Sequence, residues 1–407
     1  MNILLINHYA GSTEMGMEFR PYYFAREWVR MGHRVHVIAA DYSHLRVKNP
    51  KVTKDFQTTR TSGIFYHWIK TGRYEGNGVK RALTMFRFVG KLWLAAKRIA
   101  EVFQPDVVIT SSTYPLDTYA GQKIARMCGA KLIHEVHDLW PLTLTEIGGM
   151  SRSHPFVRLL QMAEDSAYRY SDHVVSLLPA AKEYMVRHGM KPEKFVHIPN
   201  GIVLTEWTGY PELPQNTSQV IRKMKQENRF LLCFFGSITK SYALDYLIEA
   251  VKRVCKKEIS LLLVGDGNEK ERLQELCREY EHIRFLDPVG KKYIPALLEA
   301  VDGVYIGALN NRMFRFGVCM NKLFDAMMGG KPILYAVHAP NNYIREYQCG
   351  ISVQAEDVDA LEAGLERLIT LPERERRQMG SNGKQAAIRY FNYGVLAGKF
   401  ADVFLQS

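Results

Sequence analysis

Between Gly317 and Asp325 the chain sets a glycine, an amide, an amine and a carboxylate at spacings that bring them together. On a helix, Asn321 and Asp325 stand four apart and Lys322 and Asp325 three apart, so all three crowd one region of its surface. A glycine ahead of such a helix, with Val318 beside it, leaves backbone N–H groups free at a positive helix end, a natural seat for a diphosphate. Lys322, helped by Arg315, can add charge there, and a carboxylate at 325 suits the hydroxyls of a ribose. The bland alternative is a capped core helix with an internal Lys–Asp pair. A second constellation is His137-Asp138, closing the run His134-Glu135-Val136 at an expected strand end, where a histidine–carboxylate pair can move or hold a proton. Asp357-Val358-Asp359 spells a metal-binding pair, but it sits just before a helical stretch and reads better as a cap. No metal and no cofactor are expected.

These residues need a scaffold that presents strand ends. Both halves alternate apolar strand-like runs with amphipathic helical stretches, which predicts parallel α/β architecture. In the first half, strands are expected at 3–6, 34–39, 106–109, 131–133 and 173–176, with a glycine-bearing loop from Gly11 to Gly16 and a helix from about 17 to 31. In the second, strands are expected at 230–235 and 259–264, followed by Gly236 and Gly265 respectively, with a helix at 244–254 after the first. Open α/β sheets bind ligands at these carboxyl ends. The polar, proline-bearing stretch between the halves predicts domains at 1–205 and 229–385, a linker at 206–228 and a terminal helix within 386–407.

With 407 residues, 47% hydrophobic and 24% charged, the chain has the composition of a two-domain globular protein. Its six cysteines are scattered, which argues against a disulfide framework or zinc site and for a reducing compartment. The N-terminus lacks a basic leader and no apolar run reaches membrane-spanning length, so a cytoplasmic location is expected. The net charge of +12 suits anionic partners without choosing among them. Part of it lies in 79–98, where six basic residues, Arg87 and Lys91 among them, alternate with apolar and aromatic ones such as Phe88 and Trp93, and no acid intervenes. Such a segment can rest on an anionic membrane; a domain helix with a solvated basic edge is the alternative.

The stretch Asp325-Ala326-Met327 with Gly330-Lys331-Pro332 resembles the donor-binding helix of family 4 retaining glycosyltransferases, a GT-B family, although Gly317 stands where the family carries its first glutamate. The Asn-Lys-Leu-Phe-Asp form is similar to a subgroup that builds bacterial surface polysaccharides, including N-acetylfucosaminyltransferases. Gly16-Met17-Glu18-Phe19-Arg20, His137-Asp138, Pro199-Asn200-Gly201, Val264-Gly265-Asp266-Gly267 and Asp287-Pro288-Val289 resemble further family elements in the family's order. The resemblance implies two Rossmann-like domains facing a cleft, with a C-terminal helix crossing back to the N-terminal domain. It implies that Gly16 and Met17 meet the donor phosphates, that Gly265, Pro288 and Val289 wall the base, and that His137 faces the transferred sugar while Asp138 orients nearby groups. Glu18, Arg20, Arg87, Lys91 and Trp93 are the expected acceptor or membrane contacts. The family's arginine and lysine after the first C-terminal-domain strand fall on Ser237 and Tyr242 here; Lys240, Lys322, Arg315 or Arg312 must then supply the charge. The implied reaction is retaining transfer of a hexose or N-acetylhexosamine, deoxy forms included, from a nucleoside diphosphate sugar, UDP foremost, to a lipid-linked saccharide. Its setting would be the inner face of the plasma membrane, in O-antigen, capsule or exopolysaccharide synthesis. A GT-B sugar-nucleotide epimerase or hydrolase is the alternative, and a basic nucleic-acid binder fits less well because no such motif is present.

Overall fold

A computed structural model describes residues 1–16, 19–76, 78–227, 229–254 and 258–405. The chain divides into two compact units, Met1–Pro199 with Tyr393–Ser407, and Asn200–Asn392.

The first unit is built on an eight-stranded sheet. Its strands are β1 (Asn2–Ile6), β2 (Arg34–Ala40), β3 (Gln57–Thr61), β4 (Ile64–Ile69), β5 (Val107–Thr110), β6 (Lys131–Val136), β7 (His173–Ser176) and β8 (Phe195–His197). They lie in the order β3-β4-β2-β1-β5-β6-β7-β8, and all pairs are parallel except β3 with β4. Ile3 to Ile6 and the whole of β5 are buried, as strands covered by helices on both faces must be. The second unit carries β9 (Phe230–Phe235), β10 (Ile259–Val264), β11 (Ile283–Leu286), β12 (Gly303–Gly307), β13 (Ile333–Ala336) and β14 (Gly350–Ser352). Their order, β11-β10-β9-β12-β13-β14, is parallel throughout.

In each sheet the chain leaves the first strand in one direction and later returns to its other side. The reversal falls between β1 and β5 in one unit and between β9 and β12 in the other. Crevices open at the carboxyl ends of such strand pairs, so the topology alone singles out two loop clusters.

Two expectations about boundaries need correction. The stretch 206–228 is no open linker: Gln215–Lys225 is a helix of the second unit whose Ile221 and Met224 enter its core, because apolar residues recur there at helical spacing. The C-terminal segment is two helices, Glu373–Tyr390 and Tyr393–Leu405, broken at Phe391-Asn392. The first packs in unit two. The second joins unit one against Phe19–Arg30, where Phe24 and Phe400 meet edge to face at 5.3 Å and Trp28 Nε1 donates to Ala397 O at 3.3 Å. No helix among the described residues is long and apolar enough to cross a membrane.

Candidate functional site

At the carboxyl ends of β1, β5 and β6, unit one assembles a wired cluster. β6 carries Glu135, 2% exposed, in register beside β5. Arg20, from the helix Phe19–Arg30, donates through Nε to Glu135 Oε1 at 3.0 Å and through its terminal nitrogens to Pro199 O and Ile198 O at 2.7 and 2.8 Å. Ser111, just past β5, donates to Glu135 Oε2 at 2.6 Å, and Asn7, just past β1, donates to Ser111 O at 2.6 Å. His137 closes the cluster, its Nε2 2.9 Å from Ser111 Oγ and 3.2 Å from Glu135 Oε2. Burial pushes the Glu135 carboxyl up, but the charges of Arg20 and His137 and the hydrogen bonds outweigh it and hold the group down at about 2. A carboxylate that stays ionised accepts a hydrogen bond from His137 Nε2, which fixes the orientation of the ring.

Arg20 therefore corrects an expectation. It is placed inside the fold, not on a surface: at 5% exposure it is a strut that ties the first helix to β6 and to the chain leaving β8. Asp138 serves the turn after β6, accepting from Leu139 N at 2.9 Å and Thr143 Oγ1 at 3.0 Å, and burial raises its carboxyl. Gly16 has φ +71°, and a Cβ there would stand 2.9 Å from Val47 Cγ2, so the loop turns tightly onto that side chain. Met17 and Glu18 lie outside the described residues. The Arg20–Glu135–Ser111 wiring escaped sequence reading. Its signal was a glutamate inside the strand run Lys131-Leu-Ile-His-Glu-Val and two serines after Val-Val-Ile-Thr.

Unit two gathers most of the residues expected to meet the donor at the carboxyl edge of its sheet. Gly236 N donates to Val264 O at 3.0 Å and Ile238 N to Asp266 O at 2.8 Å, so the loops after β9 and β10 interlock. A Cβ at Gly265 would stand 1.8 Å from Gly236 O, so only glycine lets these backbones meet. Beneath them lies Lys322, second residue of the helix Asn321–Met328. Its Nζ is 3.3 Å from the centroid of Tyr242 and 4.4 Å from that of Phe234, and would be 2.9 Å from a Cβ at Gly236. This buried amine has no hydrogen-bond partner among the described residues, and burial lowers it to about 7. An anion brought to this edge would complete it.

The loop that feeds the helix is shaped by Gly317, at φ +110°, and by Asn341, which accepts from Val318 N at 2.9 Å and donates to Val318 O at 2.7 Å. Asn321 opens the helix exposed. Asp325 lies a turn further on, half-buried, its carboxyl raised by burial and drawn down in part by Lys291; it makes no hydrogen bond or ion pair among the described residues. Arg315 is exposed, stacks on Phe316 at 4.4 Å and donates to Arg312 O at 2.7 Å. Lys240 and Pro288 are exposed and Val289 half-buried. The suspected metal pair is spent on structure: Asp357 caps its helix through Ala360 N at 2.9 Å, and Asp359 pairs with Arg253 at 2.7 Å.

The basic segment of the first unit is one helix, Val79–Phe103. Phe88 and Leu92 are fully buried, so Phe88 cannot insert into anything. Lys91 is paired with Asp55 at 2.8 Å, and Arg87 donates to Thr71 O at 3.0 Å. The opposite stripe shows Val79, Leu83, Phe86, Trp93 and Leu94 to solvent, Leu94 at 83% exposure. Lys123 covers part of Trp93, its Nζ 4.5 Å from the ring.

Comparison with known proteins agrees with this architecture. Residues 15–206 match the model of Glycosyltransferase Family 4, and residues 217–386 that of Glycosyl transferases group 1. The chain belongs to the family 4 glycosyltransferases and has the GT-B fold. It is 24% identical over 277 residues to the probable glycosyltransferase WbjE of Pseudomonas aeruginosa, covering 64% of this chain and 63% of that one. It is 22% identical over 259 residues to the putative colanic acid biosynthesis glycosyl transferase WcaI of Escherichia coli K12, covering 61% and 62%. The chain thus spans somewhat under two thirds of the length of these relatives. Anabaena Alr3699/HepE, solved in complex with UDP, superposes over the whole of both chains with a TM-score of 0.67 at 16% identity.

Proposed function

We propose that this protein is a retaining glycosyltransferase that moves a hexose-type sugar, deoxy and N-acetylated forms included, from a UDP-sugar to a lipid-linked saccharide in surface-polysaccharide synthesis. The observation that carries the donor half is the Lys322 amine, buried without a hydrogen-bond partner among the described residues, under a glycine-lined strand edge where the sheet order reverses. A diphosphate there meets the amine together with the free N–H groups at the start of Asn321–Met328, and both stabilise the negative charge that grows as the nucleotide leaves. Asp325 accepts from the ribose. His137, its ring held by Ser111 and Glu135, is the group of unit one assigned to the transferred sugar, and no metal is required. The UDP bound by HepE and the colanic acid assignment of WcaI support the donor and the setting.

Asp325→Ala should weaken UDP binding by about 1–3 kcal/mol, the scale of a hydrogen bond to a charged group. Calorimetry checks this, and unchanged affinity in a folded variant removes Asp325 from the site. The lipid-linked acceptor is proposed from the exposed stripe Val79, Leu83, Phe86, Trp93 and Leu94, flanked by the exposed cations Lys80, Arg87 and Lys97. Leu83→Glu with Leu94→Glu should abolish co-sedimentation with phosphatidylglycerol vesicles while sparing UDP binding. Sedimentation equal to wild type would leave this helix without a membrane role.

A further inference from the structure

The donor site holds one feature that charge recognition alone does not explain. An ammonium meant only to attract phosphate is best left hydrated or paired with a carboxylate, which keeps it charged. Lys322 is neither. Its Nζ lies against the faces of Tyr242 and Phe234, in volume that a side chain at position 236 would claim. Burial is what lowers it, to about 7, with no carboxylate offsetting the effect. The ionisable groups on the surrounding elements are few. Asp325 is on the same helix and Tyr242 is the ring itself, each raised by burial. Lys240 precedes that ring, Asp266 follows β10, Arg315 follows β12, and Lys384 lies on Glu373–Tyr390, the helix packed on Asn321–Met328.

Resting on the nucleotide-sugar reading above, we propose that Tyr242 is a positioning residue for donor binding: with Phe234 it seats the Lys322 amine uncharged in the ligand-free protein, and the arriving diphosphate charges it, so that one proton is taken up with the donor. The proton comes from solvent and adds to the amine nitrogen; no other bond changes. The sign follows from linkage. Where the free amine is neutral and the bound one charged, binding consumes a proton and weakens as pH rises. Below about pH 6 the amine is already charged and the linkage disappears.

Calorimetry of UDP and of inorganic pyrophosphate at pH 8.5, in two buffers of different ionisation enthalpy, tests the proposal. The expected result is uptake of about one proton per UDP, with UDP affinity falling roughly eightfold between about pH 7.5 and pH 8.5, where UDP keeps a nearly constant charge; pyrophosphate, which loses its own last proton at about pH 9, is read for affinity alone. Lys322→Met, whose apolar side chain suits the aromatic seat, should bind more weakly and without that proton. Tyr242→Leu should flatten the pH slope and bind more tightly than wild type at pH 8.5, because the amine is then hydrated and already charged; Tyr242→Phe should keep the wild-type slope. Binding by wild type without proton uptake, or with the same uptake in Lys322→Met, overturns the proposal while leaving the nucleotide site standing. A wild type that binds neither ligand overturns the nucleotide reading itself.

Discussion

The two units share a doubly wound parallel plan, yet they treat charge in opposite ways. Unit one buries Arg20, Glu27, Arg46, Asp117, Glu135 and Glu164, whereas no Asp, Glu, Lys or Arg of unit two is fully buried among the described residues. In unit one the partners are built in: Glu135 has Arg20, Ser111 and His137, and Glu164 accepts from Tyr168 at 2.9 Å and Tyr184 at 2.8 Å. Even the metal-like group Glu164, Asp165 and His188 is occupied by the Gln161 amide, whose Nε2 lies 2.7–2.9 Å from all three. In unit two the Lys322 amine waits inside an otherwise apolar edge. A group satisfied within the fold strengthens that fold. A group left for a ligand costs stability until the ligand arrives.

The largest expected effect breaks the wired side. Arg20→Met removes one partner of a buried pair and strands Glu135, so the urea midpoint should drop by the equivalent of about 3–5 kcal/mol. The matching change in unit two, Lys322→Met, should instead raise stability by about 1 kcal/mol, since an unsatisfied polar group leaves an apolar setting. Equal losses from the two substitutions would erase the contrast.

Acid sharpens it next. Burial lowers His36, His67, His134 and His197 to about 4 and takes His8 well below its ordinary 6.5, all in unit one. A depressed histidine stabilises the fold above its unfolded value and loses that contribution as pH falls through the folded one, here from about 6.5 to about 4. Asp117 and Glu164, raised by burial to about 7 and about 8, oppose this, because they gain protons in the folded state first. Five histidines outweigh these carboxyls, with Asp138 counted beside them, so unit one should lose amide protection before unit two over that window in hydrogen exchange. Earlier opening of unit two would contradict this order.

The smallest effect is expected far from either cluster. Asp357→Ala removes a helix cap and should cost about 1 kcal/mol by chemical denaturation, with UDP affinity unchanged. A drop in UDP affinity would bring Asp357 back as a ligand contact.

Much of this was legible along the chain. Buried parallel strands announce themselves as continuous apolar runs, so the strands at 173–176, 230–235 and 259–264 coincide with β7, β9 and β10. The spacing of Lys322 and Asp325 placed both on one helix because helical periodicity is local. The helix at 215–225 was hidden by polar composition, since three of its side chains reach the core and eight do not. Arg20 was misread for a related reason. A cation in a loop-to-helix sequence looks exposed, and its partners, at 135, 198 and 199, are more than a hundred residues away.

Residue order was enough to establish the repeating strand–helix plan and the chemical types at each strand end, because both depend on neighbours within a few positions. Which charges are satisfied and which are left waiting depended on the folded chain. Desolvation and hydrogen bonding are set by atoms that meet only when distant segments pack. Folding joins Glu135, on a strand, to an arginine from the helix Phe19–Arg30, while it leaves the Lys322 amine against two rings with no acceptor among the described residues.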